Sequence, residues 1–235
     1  MFAAQSAHVV NSLINCLPKI ELLKIVRLCE TVDLVFGTVL CEPDQTLEYV
    51  YFPLCGFIAL VETIGGHVPL EVSLIGNEGM LGATIALGVK TSPLRGVVQG
   101  SGTALRMPAI QFLHELHESP ALQNILNRYL YVLMKQFSQA SVCICFHNLP
   151  TRLARWLLMT HDRAHADHFH LTHESLAGML GVRRSGISIA ARELQNSGLI
   201  SYSRGEIKIL NRKSLEAISC ECYGLLLEDY TQLFS

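Results

Sequence analysis

No stretch of this 235-residue chain is apolar for long enough to cross a bilayer. Its longest apolar runs, such as Phe57 to Val61 and Ala83 to Leu87, fall far short of the roughly 20 residues that a helical span needs. The N-terminus has no basic patch followed by a long apolar block, which speaks against a secretory leader. A cytoplasmic chain without a membrane partner is therefore expected. Low-complexity tracts and internal repeats are missing, and tryptophan occurs once, as Trp156. Net charge is scarce too, at −2, which on its face argues against a polyanionic partner.

What is present changes that picture. Half of the residues are hydrophobic, enough for sizeable cores, and the length favours two domains over one. Eight cysteines, at 16, 29, 41, 55, 143, 145, 220 and 222, sit in apolar contexts in a chain too large to need disulfide staples, so reduced and mostly buried thiols are expected. The charge is unevenly spread. Between His147 and Lys213 there are ten arginines and lysines against five acids, while the preceding 146 residues and the tail from Ser214 are net acidic.

Asn11 to Leu28 has helical periodicity around Pro18, which suits a helix start. From Thr31 to about Met107 the pattern becomes short β-prone runs broken by glycine and proline: VDLVFG, TVL, YVYFP, GFIALVETIGG, VPLEVSLIG, LRGVVQG and TALRMP. Gly65-Gly66 suits a hairpin turn. Strands so punctuated predict an antiparallel jelly roll or barrel. Ala109 to Leu116 reads as a short helix. Ser119-Pro120 then opens the longest helical pattern, running to about Phe146. Leu126, Leu130, Leu133, Phe137 and Ala140 alternate spacings of four and three along it, a heptad-like seam that predicts a homodimer. The expected organisation is residues 1–118 as a β-roll domain with flanking helices, 119–146 as a dimerisation helix and 147–235 as a second domain.

The most informative stretch is Leu171 to Ile209. Thr172 can cap a helix carrying Leu176, Met179 and Leu180, Gly181 supplies a turn, and a second helix from near Val182 turns Ile187, Ala190, Ala191 and Leu194 inward. Ser197-Gly198 stops it. Leu199–Tyr202 and Ile207–Leu210 then flank a turn, Ser203-Arg204-Gly205-Glu206, with a basic tip. Two helices around a glycine turn, followed by a basic hairpin, make a winged helix-turn-helix. Its second helix fits the DNA major groove, where arginine bonds bidentately to guanine and serine to several base edges. Arg184, Ser185 and Ser188 are the candidate base readers; Thr172, His173, Arg183, Arg192 and Arg204 are candidates for holding phosphates.

In its order of parts the whole chain resembles the Crp–Fnr family of bacterial transcription regulators. The residues that carry the likeness are Tyr51-Phe52-Pro53 with Gly56, Asn77-Glu78-Gly79-Met80-Leu81-Gly82, Arg152 through Leu158, and Leu171 through Ile209. The resemblance implies an α+β chain with a cyclic-nucleotide-binding-like β roll, a dimerisation helix and a winged helix for two-fold symmetric operators, together with contacts to RNA polymerase. It places Arg184 at the family's guanine-reading position and Arg192 at a basic position near the helix end. Thr172 and His173 fall at a phosphate-contacting position. Ser185 replaces a glutamate common in the family and Ile189 an arginine, so the best-known family operator does not carry over. Gly186 costs the second helix about 1 kcal/mol relative to alanine.

Members that bind cyclic AMP hold its ribose with a glutamate and its phosphate with an arginine followed by serine or threonine. Here Met80 stands at the glutamate position and Ser92-Pro93 at the arginine pair, with Arg95 nearby. A buried phosphate without a cationic partner is strongly disfavoured, so cyclic AMP is not expected as the effector and no cofactor is predicted. The N-terminal cysteine cluster of iron–sulfur relatives is absent, since only Cys16 and Cys29 lie near the start. His67 is the one histidine among the strands that a haem would need. Cys143-x-Cys145 and Cys220-x-Cys222 are weak metal pairs because i and i+2 on a helix do not share a face. The histidines at 161, 165, 168, 170 and 173 read either as a metal site or as a solvated connector. Rival functions are a cupin-like metal-dependent enzyme and a winged helix used for protein contacts.

Overall fold

Asn11 begins the described chain by capping: its side-chain oxygen accepts from the amides of Leu13 and Ile14, while its amide group donates to the carbonyls of Pro53 and Gly79. The structure is a computed structural model that describes residues 11–65, 69–164 and 168–235. Two helices, α1 (Ser12–Asn15) and α2 (Lys19–Leu28), follow, the second entered through Pro18. Five strands then form one antiparallel sheet: β1 (Glu30–Leu34), β2 (Val39–Cys41), β3 (Tyr49–Glu62), β4 (Leu70–Ile75) and β5 (Arg95–Pro108). Their order is β1-β5-β3-β4, with β2 also paired to β5.

β3 and β5 are each 14 residues long and run through punctuation that the sequence reading treated as strand breaks. Gly56, at φ 76°, allows this. A Cβ there would meet the Gly100 and Ser101 carbonyl oxygens at 2.4 and 2.7 Å, and the β3–β5 register shifts around it. The chain bends without leaving the sheet. β3 and β4 pair from Ile58–Ile75 to Glu62–Leu70; Gly66, half of the expected hairpin turn, lies outside the described residues.

After α3 (Ala109–Glu118), Ser119 caps the long helix α4 (Pro120–Phe146) by accepting from the Leu122 amide, with Pro120 at its first position. Of the residues expected in the seam, Leu126 and Leu133 are buried in the chain's own core, and Leu130, Phe137 and Ala140 are half-buried facing the roll. The apolar side chains that α4 leaves outward are instead Tyr131, Met134, Val142, Ile144 and Phe146.

α5 (Leu149–Ala164) leads into the second unit: β6 (His168–His170), α6 (His173–Leu180), α7 (Arg184–Asn196), β7 (Ile200–Ser203), β8 (Glu206–Ile209), α8 (Arg212–Ile218) and α9 (Cys222–Phe234). β6, β8 and β7 make a three-stranded sheet. α9 packs back along α4, where Lys135 pairs with Asp229 and Gln136 donates to the Tyr230 hydroxyl at 2.7 Å. No described helix is long and apolar enough to cross a membrane.

Two carboxylates of the roll dock α5. Glu78 pairs with the buried Arg163, which donates from Nε at 2.7 Å. Gly76 makes room, since a Cβ there would meet the Arg163 stem at 2.6 Å. Glu71 accepts from Trp156 Nε1 at 2.7 Å, and its other oxygen is buried without a partner among the described residues. Burial pushes the Glu71 carboxyl up to about 8, against the opposing pull of the Trp156 bond and of Arg163 and Arg155. The folded state thus keeps a proton that the unfolded chain releases above about 4.5, so this group removes stability as pH rises from there to about 8. Glu71→Gln keeps an acceptor for Trp156 and cannot ionise. Its melting temperature should fall less than wild type's between pH 5 and pH 8.5; equal falls would contradict the assignment.

Candidate nucleic-acid interface

Thr172 ends the extended chain after β6 and caps α6, its hydroxyl accepting from the Ser175 amide at 3.1 Å. Leu176, Ala177, Met179 and Leu180 are buried, and Gly181 closes the helix at φ 65°, a conformation in which other residues are strained. Arg152 of α5 donates to the Leu180 carbonyl at 2.6 Å, so the turn is held from below. α7 starts one residue pair later than the sequence suggests, because Val182 and Arg183 remain outside the helix and Arg183 is its N-cap in extended conformation. Ile187, Ala190, Ala191 and Leu194 form its buried side. Beyond Gly198 the β7–β8 hairpin turns through Arg204 and Gly205, both at positive φ, 53° and 87°, as in a type I′ turn.

Between α6, α7 and this wing lies an open groove of about 470 Å³. Thr172, His173, Arg184, Ser188, Arg192 and Arg204 line it, six of the eight residues proposed from the sequence. Arg183 and Ser185 are exposed at the start of α7 beside it. Gln195 and Tyr202 also line the groove and were not anticipated. Gln195 was within reach of the sequence, since 184, 188, 192 and 195 follow helical spacing. Tyr202 was hidden by its place on a strand; its hydroxyl donates to the Leu171 carbonyl at 2.6 Å.

Ser188 is not idle. Its hydroxyl lies 2.9 Å from His173 Nδ1 and 3.2 Å from the Arg184 carbonyl, and the His173 ring stands edge-on to Tyr202 at 4.5 Å. Burial, then the nearby Arg184 charge, holds the His173 imidazole below its ordinary range. It is therefore mainly neutral near pH 7 and offers hydrogen bonds rather than charge. Two of the other histidines have partners elsewhere. His170 Nδ1 meets Glu206 at 2.7 Å, His161 Nδ1 meets Arg212 at 2.7 Å, and His165 lies outside the described residues.

The roll holds a separate cavity of about 230 Å³ against α4, lined by Leu60, Ile75, Met80, Leu133, Phe137 and other apolar side chains. Met80, Ser92 and Pro93, the positions where cyclic AMP binders differ, all border it. The hydroxyls of Ser92 and Thr84 donate to main-chain carbonyls at 2.7 and 2.9 Å, and Arg95 pairs with Glu42. Among the described residues nothing cationic lines the cavity. His67, the histidine that the sequence places among the strands, lies outside the described residues.

A β roll joined by a long helix to a winged helix with an arginine-lined groove defines the architecture. Residues 151–218 match the Crp-like helix-turn-helix domain family. Over more than four fifths of its length the chain has the fold of solved Crp/Fnr proteins. A Crp/Fnr-family protein from Eubacterium rectale aligns at 20% identity over 88% of this chain and 96% of its own, with a TM-score of 0.67. FixK2 from Bradyrhizobium japonicum aligns at 14% identity over 82% and 98%, with a TM-score of 0.65. The c-di-GMP-responsive global regulator CLP of Xanthomonas campestris aligns at 13% identity over 83% and 100%, also at 0.65. No curated protein matches the chain.

One consequence of the groove is measurable by NMR. The His173 imidazole should titrate below an ordinary histidine, and Arg184→Ala should move its midpoint upward by removing one of the two depressing causes. A midpoint indifferent to Arg184 would mean the two side chains do not sense each other.

Proposed function

We propose that the protein is a sequence-specific, DNA-binding transcription regulator of the Crp–Fnr type, acting as a cytoplasmic homodimer on a palindromic operator and having no catalytic role. The observation that carries this reading is the groove, where Arg184, Arg192 and Arg204 meet the N-terminus of α6. A helix N-terminus and guanidinium groups together suit phosphates, and the exposed start of α7 suits a major groove. Arg184, Ser185 and Ser188 read bases, Ser188 by exchanging its internal bonds. Arg183, Arg192, Thr172, His173 and Arg204 hold the backbone. Gln195 joins them at the groove's far end. Contacts with RNA polymerase follow from the family likeness.

Cyclic AMP does not control the protein in this reading, because its phosphate would enter the roll's apolar cavity with no cation to receive it. Selection from a random duplex pool with ligand-free protein should enrich a palindrome whose half-sites lie about 34 Å apart. Arg184→Ala should weaken binding to it by about 1–3 kcal/mol, and added cyclic AMP should leave affinity unchanged. Failure to enrich any sequence, with Arg184→Ala indistinguishable from wild type, would favour a winged helix used for protein contacts.

The dimer uses the outward side of α4, where Tyr131 and Met134 are 59% and 62% exposed and Val142 is 48% exposed. Unpaired apolar side chains along a 27-residue helix are what a second copy would cover. Met134→Glu and Val142→Glu should each shift the protein toward monomer in sedimentation velocity. A wild type that sediments as a monomer would remove the two-fold operator from the proposal.

A further inference from the structure

The groove leaves unused a group of side chains at the joint between α4 and the winged-helix unit. Cys143 lies in the last turn of α4, His147 is that helix's C-cap, Cys220 lies in the link from α8 to α9, and Cys222 is the first residue of α9. Their four ligand atoms all lie within 4.8 Å of one another. Cys143 Sγ is 3.6 Å from Cys220 Sγ, and Cys222 Sγ is 3.6 Å from His147 Nδ1. An ion with tetrahedral bonds of roughly 2.3 Å to sulfur and 2.0 Å to nitrogen separates its ligands by about 3.5–3.8 Å.

We propose that Cys143, His147, Cys220 and Cys222 form a closed, mononuclear Zn2+ site that ties the end of α4 to the C-terminal helices. Three sulfurs and one imidazole are a donor set that selects zinc over harder cations. An iron–sulfur cluster would spread its cysteines over several irons, whereas these four atoms suit one ion. The surroundings are those of a metal site as well. His147 Nε2 lies 3.1 Å from the Glu221 carboxylate, which fixes the ring and directs Nδ1 at the cysteines. Three thiolates around a divalent ion leave one negative charge in excess, and Arg155 donates to Cys143 Sγ at 3.8 Å to offset it. The three cysteines are buried, as a structural site requires. Binding exchanges the thiol protons for the ion, releases them to solvent and changes no oxidation state.

The helical partner of Cys143 is thus His147 at i+4, not Cys145, which is exposed elsewhere on α4. Cys220 and Cys222 converge although they are two apart because Cys220 precedes the helix. This inference rests on the cluster's geometry alone and is independent of the DNA-binding reading.

The test uses the full chain, purified under reducing conditions without chelator. Elemental analysis should find one zinc per protomer. Co2+ added to stripped protein should give thiolate-to-cobalt charge-transfer absorption and the intense visible bands of a tetrahedral site. Cys220→Ser and Cys222→Ser should lose the metal, while Cys145→Ser keeps it, each checked for folding by circular dichroism. Stripping with chelator should lower the melting temperature of wild type and Cys145→Ser. Folded wild type that takes up neither Zn2+ nor Co2+, a weak octahedral cobalt spectrum, or a Cys220→Ser/Cys222→Ser double variant that retains full zinc would overturn the proposal.

Discussion

The buried pair between Glu78 and Arg163 is the constraint on which the arrangement of the two units depends. Arg163 is a cation inside the protein, held by Glu78 and by the Met159 carbonyl at 3.0 Å, and its stem fills the space that Gly76 leaves by lacking a side chain. Leaving one member of such a pair unpartnered costs about 3–5 kcal/mol. That is a large share of the roughly 5–15 kcal/mol that stabilises a domain. The roll therefore cannot let go of α5 cheaply. α5 in turn packs against α7 and holds the α6 C-terminus through Arg152, so α7 is tied to the roll through α5.

α4 joins the same system from the other side. Gln136 accepts from Ser73 of β4 at 2.9 Å and donates to Tyr230 of α9, which links roll, long helix and C-terminal helix through one side chain. Tyr129, fully buried, bonds both the amide and the carbonyl of Met80, beside the Gly79 that leaves room for its ring. Met80 and Leu133 also border the apolar cavity. The apolar cavity, the long helix, β4 and the C-terminal helix thus share one set of contacts.

How much of this was legible in the sequence depends on the range of the interactions involved. The winged helix was readable nearly residue by residue because its signals are local: the Thr172 cap, the left-handed Gly181 and the inward spacing of Ile187, Ala190 and Leu194. The roll was readable as a class of sheet but not as strands. Gly56 and Gly100 look like stops, yet they lie inside β3 and β5: a Cβ at Gly56 would meet the β5 backbone, and one at Gly100 would meet the Phe57 ring. In α4, periodicity showed an apolar face at Leu126, Leu130, Leu133, Phe137 and Ala140 but could not say what covers it; the covering residues belong to the roll. The Cys143, His147, Cys220 and Cys222 group joins positions 77 residues apart, and no spacing rule reaches that far.

The same separation of local from global applies to charge. A protein at −2 overall can attract a polyanion only if its acids are kept away from its cations. Here the fold does that. The acidic C-terminal helix is turned onto α4, with Asp229 paired to Lys135, while the groove opens on the opposite element set, α6, α7 and the wing. Of the acids near the groove, Glu206 is engaged by His170, and Glu174 lies 4.0 Å from Arg184, both well exposed. Exposed pairs are worth little in water, so Glu174 holds the Arg184 guanidinium only weakly. With screening over about 8–10 Å at physiological salt, a phosphate approaching the wing experiences Arg184, Arg192 and Arg204 and hardly any of the distant acids that set the net charge.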